Sequence, residues 1–262
     1  MYAFDFVKPA SLDEAVAALG QEGAQPLAGG QTLLPSMKQR LNAPEVLVSL
    51  RGILELRGIC RESDAVVIGA ATTHAQVAAD LAADYPGLAA LAGQIGDPAV
   101  RNMGTIGGSL ANNDPSACYP AGALGSGATV VTNAREITAD DFFQGMFTTA
   151  LDEGEIIIAV RFPIPQRAAY AKFLQPASRF ALTAAFVAQF ADGVRVAITG
   201  ASEEGVFRWA EAEAALSADF RPEALAGLSM PAEGMIGDLH GTPEYRAHLV
   251  GVMTRRAVAA AG

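Results

Sequence analysis

The stretch Arg101-Asn102-Met103-Gly104-Thr105-Ile106-Gly107-Gly108-Ser109-Leu110 decides how this chain is read. Two adjacent glycines follow a hydroxyl residue, so no Cβ hinders the approach of a bulky ligand to the main chain. A second stretch, Pro26-Leu27-Ala28-Gly29-Gly30-Gln31-Thr32-Leu33, has the same ingredients with the threonine placed after the glycines. Glycine pairs let successive N–H groups turn toward one point, the local geometry of an anion-binding nest. One such loop is an ordinary turn signal. Two of them suggest a diphosphate gripped from both sides, with Thr32 and Thr105 each able to donate a hydroxyl. Neither loop carries Lys or Arg at its centre, and Arg101 only precedes the second, so binding would rest on main-chain dipoles. On the loops alone, two structural turns in a glycine-rich chain remain an equal reading.

Composition narrows the classes. The chain has 262 residues, more than the usual single domain, which implies two or three subdomains sharing a core. Hydrophobic residues make up 51% and charged residues 18%, enough for a large buried interior. No uninterrupted apolar run is long enough for a membrane span, and the opening Met1-Tyr2-Ala3-Phe4-Asp5-Phe6 does not resemble a signal peptide. A cytoplasmic protein is expected. The net charge of −10 argues against nucleic acid as a partner. Cys60 and Cys118 cannot form a metal-binding cluster, and a disulfide between them is not expected. His74, His240 and His248 show no metal-ligand spacing and read as surface or capping residues. No metal site and no catalytic acid, base or nucleophile is assigned. The motifs G-x-G-x-x-G, G-x-x-x-x-G-K-[ST] and G-x-S-x-G are absent. The nearest approach, Gly122-Ala123-Leu124-Gly125-Ser126-Gly127, has the wrong spacing and reads as a turn.

Periodicity gives an α+β chain in three lobes. Phe4 to Val7 alternates as a strand, Pro9 ends it, and Ser11 with Glu14 forms a capping box for a helix bearing Leu12, Ala15, Val16 and Leu19 on one face. Gly20 and Gly23 stop that helix, and a strand through Gln25 to Leu27 delivers the first glycine loop, a βαβ-like start. Val46 to Leu50 closes the first lobe, residues 1–55. The second lobe, residues 56–165, holds a strand at 65–69, a helix after Thr72 and Thr73, another from Leu88 to Ile95, and strands at 129–131 and 156–162. The third, residues 166–262, opens with strands Ala181–Phe190 and Val194–Thr199 around an Asp192-Gly193 type I′ turn. Helices follow over 209–216, 222–228 and 242–260, the last capped by Thr242 with Pro243 at its first position.

Several segments together resemble the FAD-binding medium subunit of the molybdenum hydroxylases, the family of carbon monoxide dehydrogenase and xanthine dehydrogenase. They are Phe4 to Ala15, Ala28-Gly29-Gly30-Gln31-Thr32, Ile95-Gly96-Asp97-Pro98, Arg101 to Ser109, Gly154-Glu155-Ile156-Ile157 and Pro243-Glu244-Tyr245-Arg246. The resemblance runs nearly end to end. It implies an α+β fold in which two N-terminal α/β lobes form a vanillyl-alcohol-oxidase-like (PCMH-type) FAD-binding domain. A C-terminal α+β lobe with an antiparallel sheet and helices, like that of carbon monoxide dehydrogenase flavoproteins, would cover it. By the same resemblance, Leu27, Ala28, Gly29, Gly30, Gln31, Thr32 and Leu33 with Thr105, Ile106, Gly107, Gly108 and Ser109 would hold the diphosphate and ribityl chain. Ile157 would line the ring pocket, and Lys172 matches a lysine that the family places near the flavin. Phe180 stands where some members have a tyrosine, so it could stack but not donate a hydroxyl. Cys118 replaces an acid found in many relatives, and Asp114 either offsets that loss or serves only an Asp-Pro turn.

The family role is an oxidoreductase subunit. Substrate is hydroxylated at a molybdenum-pterin cofactor on a large subunit, and electrons cross [2Fe–2S] clusters on a small subunit to the FAD of the medium one. A dimer of heterotrimers is the implied assembly. Such a chain needs no acid or base of its own; it fixes and tunes the flavin. Two other readings stay in play: a stand-alone nucleotide-binding module and a flavin reductase of the same fold, the latter with no motif for protonation beside the flavin N5.

Overall fold

The computed structural model describes all 262 residues, Met1 to Gly262. Its first sheet holds β1 (Asp5–Val7), β2 (Ala24–Leu27) and β3 (Val46–Ser49), all parallel, in the order β1-β3-β2. Helix α1 (Leu12–Leu19) joins β1 to β2, so the βαβ-like start is split by β3, every residue of which is buried. Ala15, Ala18 and Leu19 of α1 pack on that strand's apolar residues. Half of the capping box forms. Ser11 Oγ accepts from Glu14 N–H at 3.3 Å, whereas the Glu14 carboxylate accepts from Ala10 N–H at 2.8 Å. Gly20 stays right-handed, and it is Gly23 at φ +70 that turns the chain into β2. A short helix α2 (Leu33–Lys38) follows the first glycine loop.

The second sheet is antiparallel. It contains β4 (Ile59–Arg61), β5 (Ala65–Gly69), β6 (Thr129–Thr132) and β7 (Glu136–Thr138), with the later strand Ile157–Pro163 central between β5 and β6. Between β5 and β6 run α3 (His74–Asp80), α4 (Pro86–Gly93), α5 (Pro98–Met103), α6 (Ile106–Asn112) and α7 (Cys118–Ser126). Each of α3, α5 and α6 starts at a side-chain cap: Thr73, Asp97 and Thr105 accept from the amide three residues on. Beyond β7 come the single turn α8 (Ala139–Phe142) and a small hairpin of β8 (Phe143–Gly145) and β9 (Thr148–Thr149). The central strand Ile157–Pro163 is β10.

Helix α7 corrects the sequence reading, which took Gly122 to Gly127 for a turn. All nine of its residues are buried. A Cβ at Gly122 would stand 2.9 Å from Leu91 Cδ1, and one at Gly125 would stand 2.8 Å from Phe186 Cδ1. The glycines there let a helix run through the core, and only Gly127, at φ +60, turns the chain out of it.

The third sheet is β11 (Arg167–Leu174), β12 (Ala181–Phe190), β13 (Gly193–Ser202) and β14 (Gly205–Arg208), antiparallel in chain order. Strand β12 is apolar on both faces for a reason. Ala184, Phe186 and Ala188 face the core shared with the second sheet, while Leu182, Ala185 and Val187 face α9 (Ala210–Ala218) and α10 (Pro243–Ala261). Thr242 caps α10 as expected, accepting from Tyr245 N–H. The turn between β12 and β13 is not type I′. Phe190 pairs with Gly193, so Ala191 and Asp192 form the loop, and of the three only Gly193 has positive φ. The segment at 222–228 shortens to a 3₁₀ turn over Pro222–Leu225.

Candidate functional site

A cleft of about 580 Å³ opens where the C-terminal ends of the parallel strands β2 and β3 meet α6, the segment after it, and the β11–β12 connection. Loops diverge beyond the carboxyl ends of parallel strands, which is where ligand sites commonly form. Of the sixteen residues that the sequence nominated, Leu27, Ala28, Gly29, Gly30, Gln31, Thr32, Leu33, Thr105, Gly107, Gly108, Ser109, Asp114, Ile157, Lys172 and Phe180 line this cleft. Ile106 does not: it is fully buried in the core cluster with Leu110. The cleft volume lies within the ordinary range of ligand sites.

The two glycine loops touch. A Cβ on Gly29 would stand 2.3 Å from the Met103 carbonyl oxygen and 2.7 Å from Gly104 Cα, so glycine is the only residue that allows this contact. Gly30 follows at φ +69. The amides of Gly29, Gly30, Gln31, Thr32 and Leu33 have no acceptor within the chain; the first bond of α2 is Leu34 N–H to Gly30 O. Thr32 sits at the N-cap of α2 without a side-chain cap bond, which leaves its hydroxyl free. The first loop thus leaves its amides unpaired beside the cleft, as an anion-binding nest requires.

The second loop differs. Ile106 N–H donates to Thr72 O, Gly107 N–H to Ala70 O, and Gly108 N–H to Thr105 Oγ1. Ser109 N–H closes the first turn of α6 on Thr105 O, and Gly104 N–H is taken by Val100 O. Only the Thr105 amide has no acceptor. The expected row of free glycine amides is therefore spent on the fold. Gly107 serves packing instead, because a Cβ there would stand 2.6 Å from Ala70 Cβ at the end of β5. What this wall offers a ligand is side-chain hydroxyls, Thr105 and Ser109, and a close approach at exposed Gly108.

Beyond the loops, the 114–118 segment is fastened to the third sheet. Thr199 Oγ1 donates to Pro115 O and Ala117 O at 2.9 and 2.8 Å, and Gly200 N–H donates to Pro115 O. Asp114 accepts from Ser116 N–H, so it makes the Asp-Pro turn and lines the cleft as well; burial raises its carboxyl above the usual range. Lys172 Nζ donates to Gln94 O at 3.0 Å and meets Cys118 Sγ at 3.4 Å, with no carboxylate partner. Cys118, the residue replacing an acid, is thus the soft neighbour of the cleft's ammonium. Phe180 stands half exposed at the end of the β11–β12 connection, next to Arg179 in a left-handed conformation.

Among the cleft residues that escaped the sequence reading are Glu155 and His74. Glu155 is bound by Arg135 through Nε and Nη2 and accepts from Thr132 Oγ1, which holds its carboxyl at about 2, mainly through the Arg135 hydrogen bond. It ties the cleft rim together and is not free for a ligand. His74, read as a surface or capping residue, is buried at the first position of α3, directly under the second loop: its N–H donates to Gly104 O, and its ring lies 5.3 Å from that of Tyr119. Burial first, and Arg101 second, lower its pKa to about 4. No sequence signal marks it, since its spacing matches no ligand motif.

A family model described as the FAD binding domain in molybdopterin dehydrogenase matches residues 2–165. The chain belongs to this family. The carbon monoxide dehydrogenase medium chain of Afipia carboxidovorans is 39% identical over 276 residues, covering 98% of this chain and 96% of that one. The nicotine 6-hydroxylase medium subunit of Paenarthrobacter nicotinovorans is 34% identical, covering 99% of this chain and 98% of the relative. Reconstituted carbon monoxide dehydrogenase from Oligotropha carboxidovorans contains a chain that superposes with a TM-score of 0.89 at 36% identity, covering 99% of this chain and 98% of its own. As a flavoprotein of this family, the chain is a medium, FAD-binding subunit of oxidoreductase type. Its cleft fits that cofactor: five unpaired amides suit a diphosphate, and Leu56, Ile95, Ile156 and Ile157 supply apolar walls for flat rings. No cluster of three or more His, Cys, Asp or Glu is arranged to hold a metal ion, and no helix is long and apolar enough to cross a membrane.

Proposed function

We propose that the chain carries electrons: FAD in the cleft receives them from [2Fe–2S] clusters of a small partner subunit and passes them to an external acceptor. When bound, FAD would supply a group that accepts electrons one at a time, as iron–sulfur clusters deliver them, and releases them singly or in pairs. The chain's own residues bind and orient it. The amides of Gly29 to Leu33, with the hydroxyls of Thr32, Thr105 and Ser109, would hold the diphosphate and ribityl chain. Ile157 would bound the ring, Phe180 would shield one face, and Lys172 would supply positive charge.

The observation that carries this reading is the convergence of the five free amides of the first loop with the Thr105 wall in one cleft. The relatives support the division of labour. One is named for carbon monoxide and another for nicotine, yet both resemble this chain over nearly its whole length. Substrates so unlike each other point to a substrate site on another subunit, a large one carrying the molybdenum-pterin cofactor. A dimer of heterotrimers is the assembly we propose, in the cytoplasm, with lobes divided near residues 55 and 165.

An absorption spectrum of the purified chain, taken with and without its partners, tests this. The expected result is bound FAD that bleaches when substrate is supplied to the complete complex and stays oxidised when it is supplied to this chain alone. A chain that takes up no added FAD even with its partners would return the glycine loops to the nucleotide-module reading.

A further inference from the structure

We infer that His74 donates a hydrogen bond, through Nε2–H, directly to the dinucleotide held in the cleft. The inference rests on the flavin reading above and adds a ligand that neither the sequence pattern nor the family description assigns. Its starting point is the shortage of donors on the second wall. From Gly104 to Ser109 every amide but that of Thr105 is already bound inside the chain, so this wall must contact a polar ligand through side chains.

His74 is placed for that. The backbone of Thr73 bridges Thr105, and His74 N–H donates to Gly104 O, which fixes the imidazole beneath the loop. His74 lines the cleft. Its Nδ1 is sealed from solvent with no partner of any kind. A proton on Nδ1 would be a buried donor without an acceptor, a rarer and costlier arrangement than an idle lone pair. The proton therefore belongs on Nε2, and Nε2 is not among the sealed atoms. A Cβ on Gly104 would come within 2.5 Å of Nε2, so the absence of a side chain at Gly104 is what opens room around this nitrogen. Burial and the neighbouring Arg101 keep the ring neutral at physiological pH, so the donor is a neutral N–H, as the Nε2–H tautomer requires. A purely packing role against Tyr119 would need neither the tautomer nor the open side.

Two measurements on the full chain, freed of flavin and titrated with FAD, decide the matter. In the first, FAD affinity is compared for wild type, His74→Leu and His74→Gln. Loss of the donor in His74→Leu should weaken FAD about tenfold or more, and His74→Gln, which keeps an N–H donor, should stay within about threefold of wild type. Equal weakening by both variants, or binding of the leucine variant within twofold of wild type, would overturn the inference. The second needs no variant: with ¹⁵N-labelled histidine, the buried ring should show the Nε2–H tautomer, and FAD should move the Nε2 resonance far more than Nδ1. An Nδ1–H tautomer, or an Nε2 signal indifferent to FAD, would sink it. Should wild type itself take no FAD, the flavin reading fails and this inference falls with it.

Discussion

The two glycine loops are written in nearly the same letters and do opposite work. In the first, five successive amides have no partner within the chain and remain available at the cleft. In the second, the glycines let α6 start against the end of β5 and let the first loop lie on Met103 and Gly104, while the amides are consumed by the fold. A glycine pair therefore states that something comes close to the backbone, and only the third dimension says whether that is a ligand or another part of the same chain.

The largest effect should come from the point where the loops meet. Gly29→Ala places a Cβ 2.3 Å from a backbone oxygen, which no side-chain rotation can relieve. We expect FAD binding to fall at least a hundredfold and the melting temperature by roughly 5 °C or more. Gly108→Ala is its counterpart on the second loop. The added Cβ would meet only Thr105 Oγ1 at 3.0 Å and Ala28 Cβ at 3.7 Å, in a helix where alanine is favoured. Its melting temperature should stay within about 2 °C of wild type. Calorimetry of both variants, with and without FAD, checks the contrast, and a stable Gly29→Ala protein would break it.

This contrast also marks how far the sequence could be read. The strands at 65–69 and 181–190 and the capped helices after Thr73 and Thr242 were legible because apolar period and cap chemistry agree there. Strand β11 went unread, since Arg167-Ala168-Ala169-Tyr170-Ala171-Lys172 is rich in helix formers and owes its form to pairing with β12. Helix α7 hid behind its glycines for the same reason, as its neighbours select it rather than its own propensity. In the site, the two glycine loops were legible as a pattern, Ile157, Lys172 and Phe180 only through the family resemblance, and His74 and Glu155 not at all. Which amides are free was not legible either, because Thr72 and Ala70, whose carbonyls claim them, lie more than thirty residues earlier in the chain.

A smaller effect separates the walls by pH. The unfolded chain would protonate His74 near 6.5, whereas the folded chain resists until about 4. The unfolded state thus binds the extra proton between those values, and stability should decline as pH falls from 6.5 to 4, by up to about 3 kcal/mol. Glu155, also at the cleft, acts lower. Its folded pKa is about 2 against an ordinary 4.5, so its contribution is complete above 4.5 and is lost as pH falls toward 2. Urea midpoints measured from pH 8 to pH 3 should show both slopes. His74→Gln should flatten the upper one and leave the lower; a variant that keeps the upper slope would show that His74 is not its source.

The two threonines test the comparison most finely. Thr105 Oγ1 accepts from Gly108 N–H as the cap of α6, and Thr105 also lines the cleft. Removing it should cost about 1 kcal/mol of stability, a shift of roughly 3 °C, and should weaken FAD as well. Thr32 stands at the N-cap of α2 with no cap bond, exposed on the nest side. Its loss removes nothing that the folded chain uses, so Thr32→Ala should melt with wild type and yet bind FAD about three- to tenfold more weakly. If Thr32→Ala lowered the melting temperature of the flavin-free chain as much as Thr105→Ala does, the first loop would be structural after all. The functional difference between the two loops would then vanish, because both would be serving the fold. A Thr105→Ala effect confined to FAD affinity would break the contrast from the other side, since it would mean that α6 does not depend on its cap and that the second loop, too, exists for the ligand.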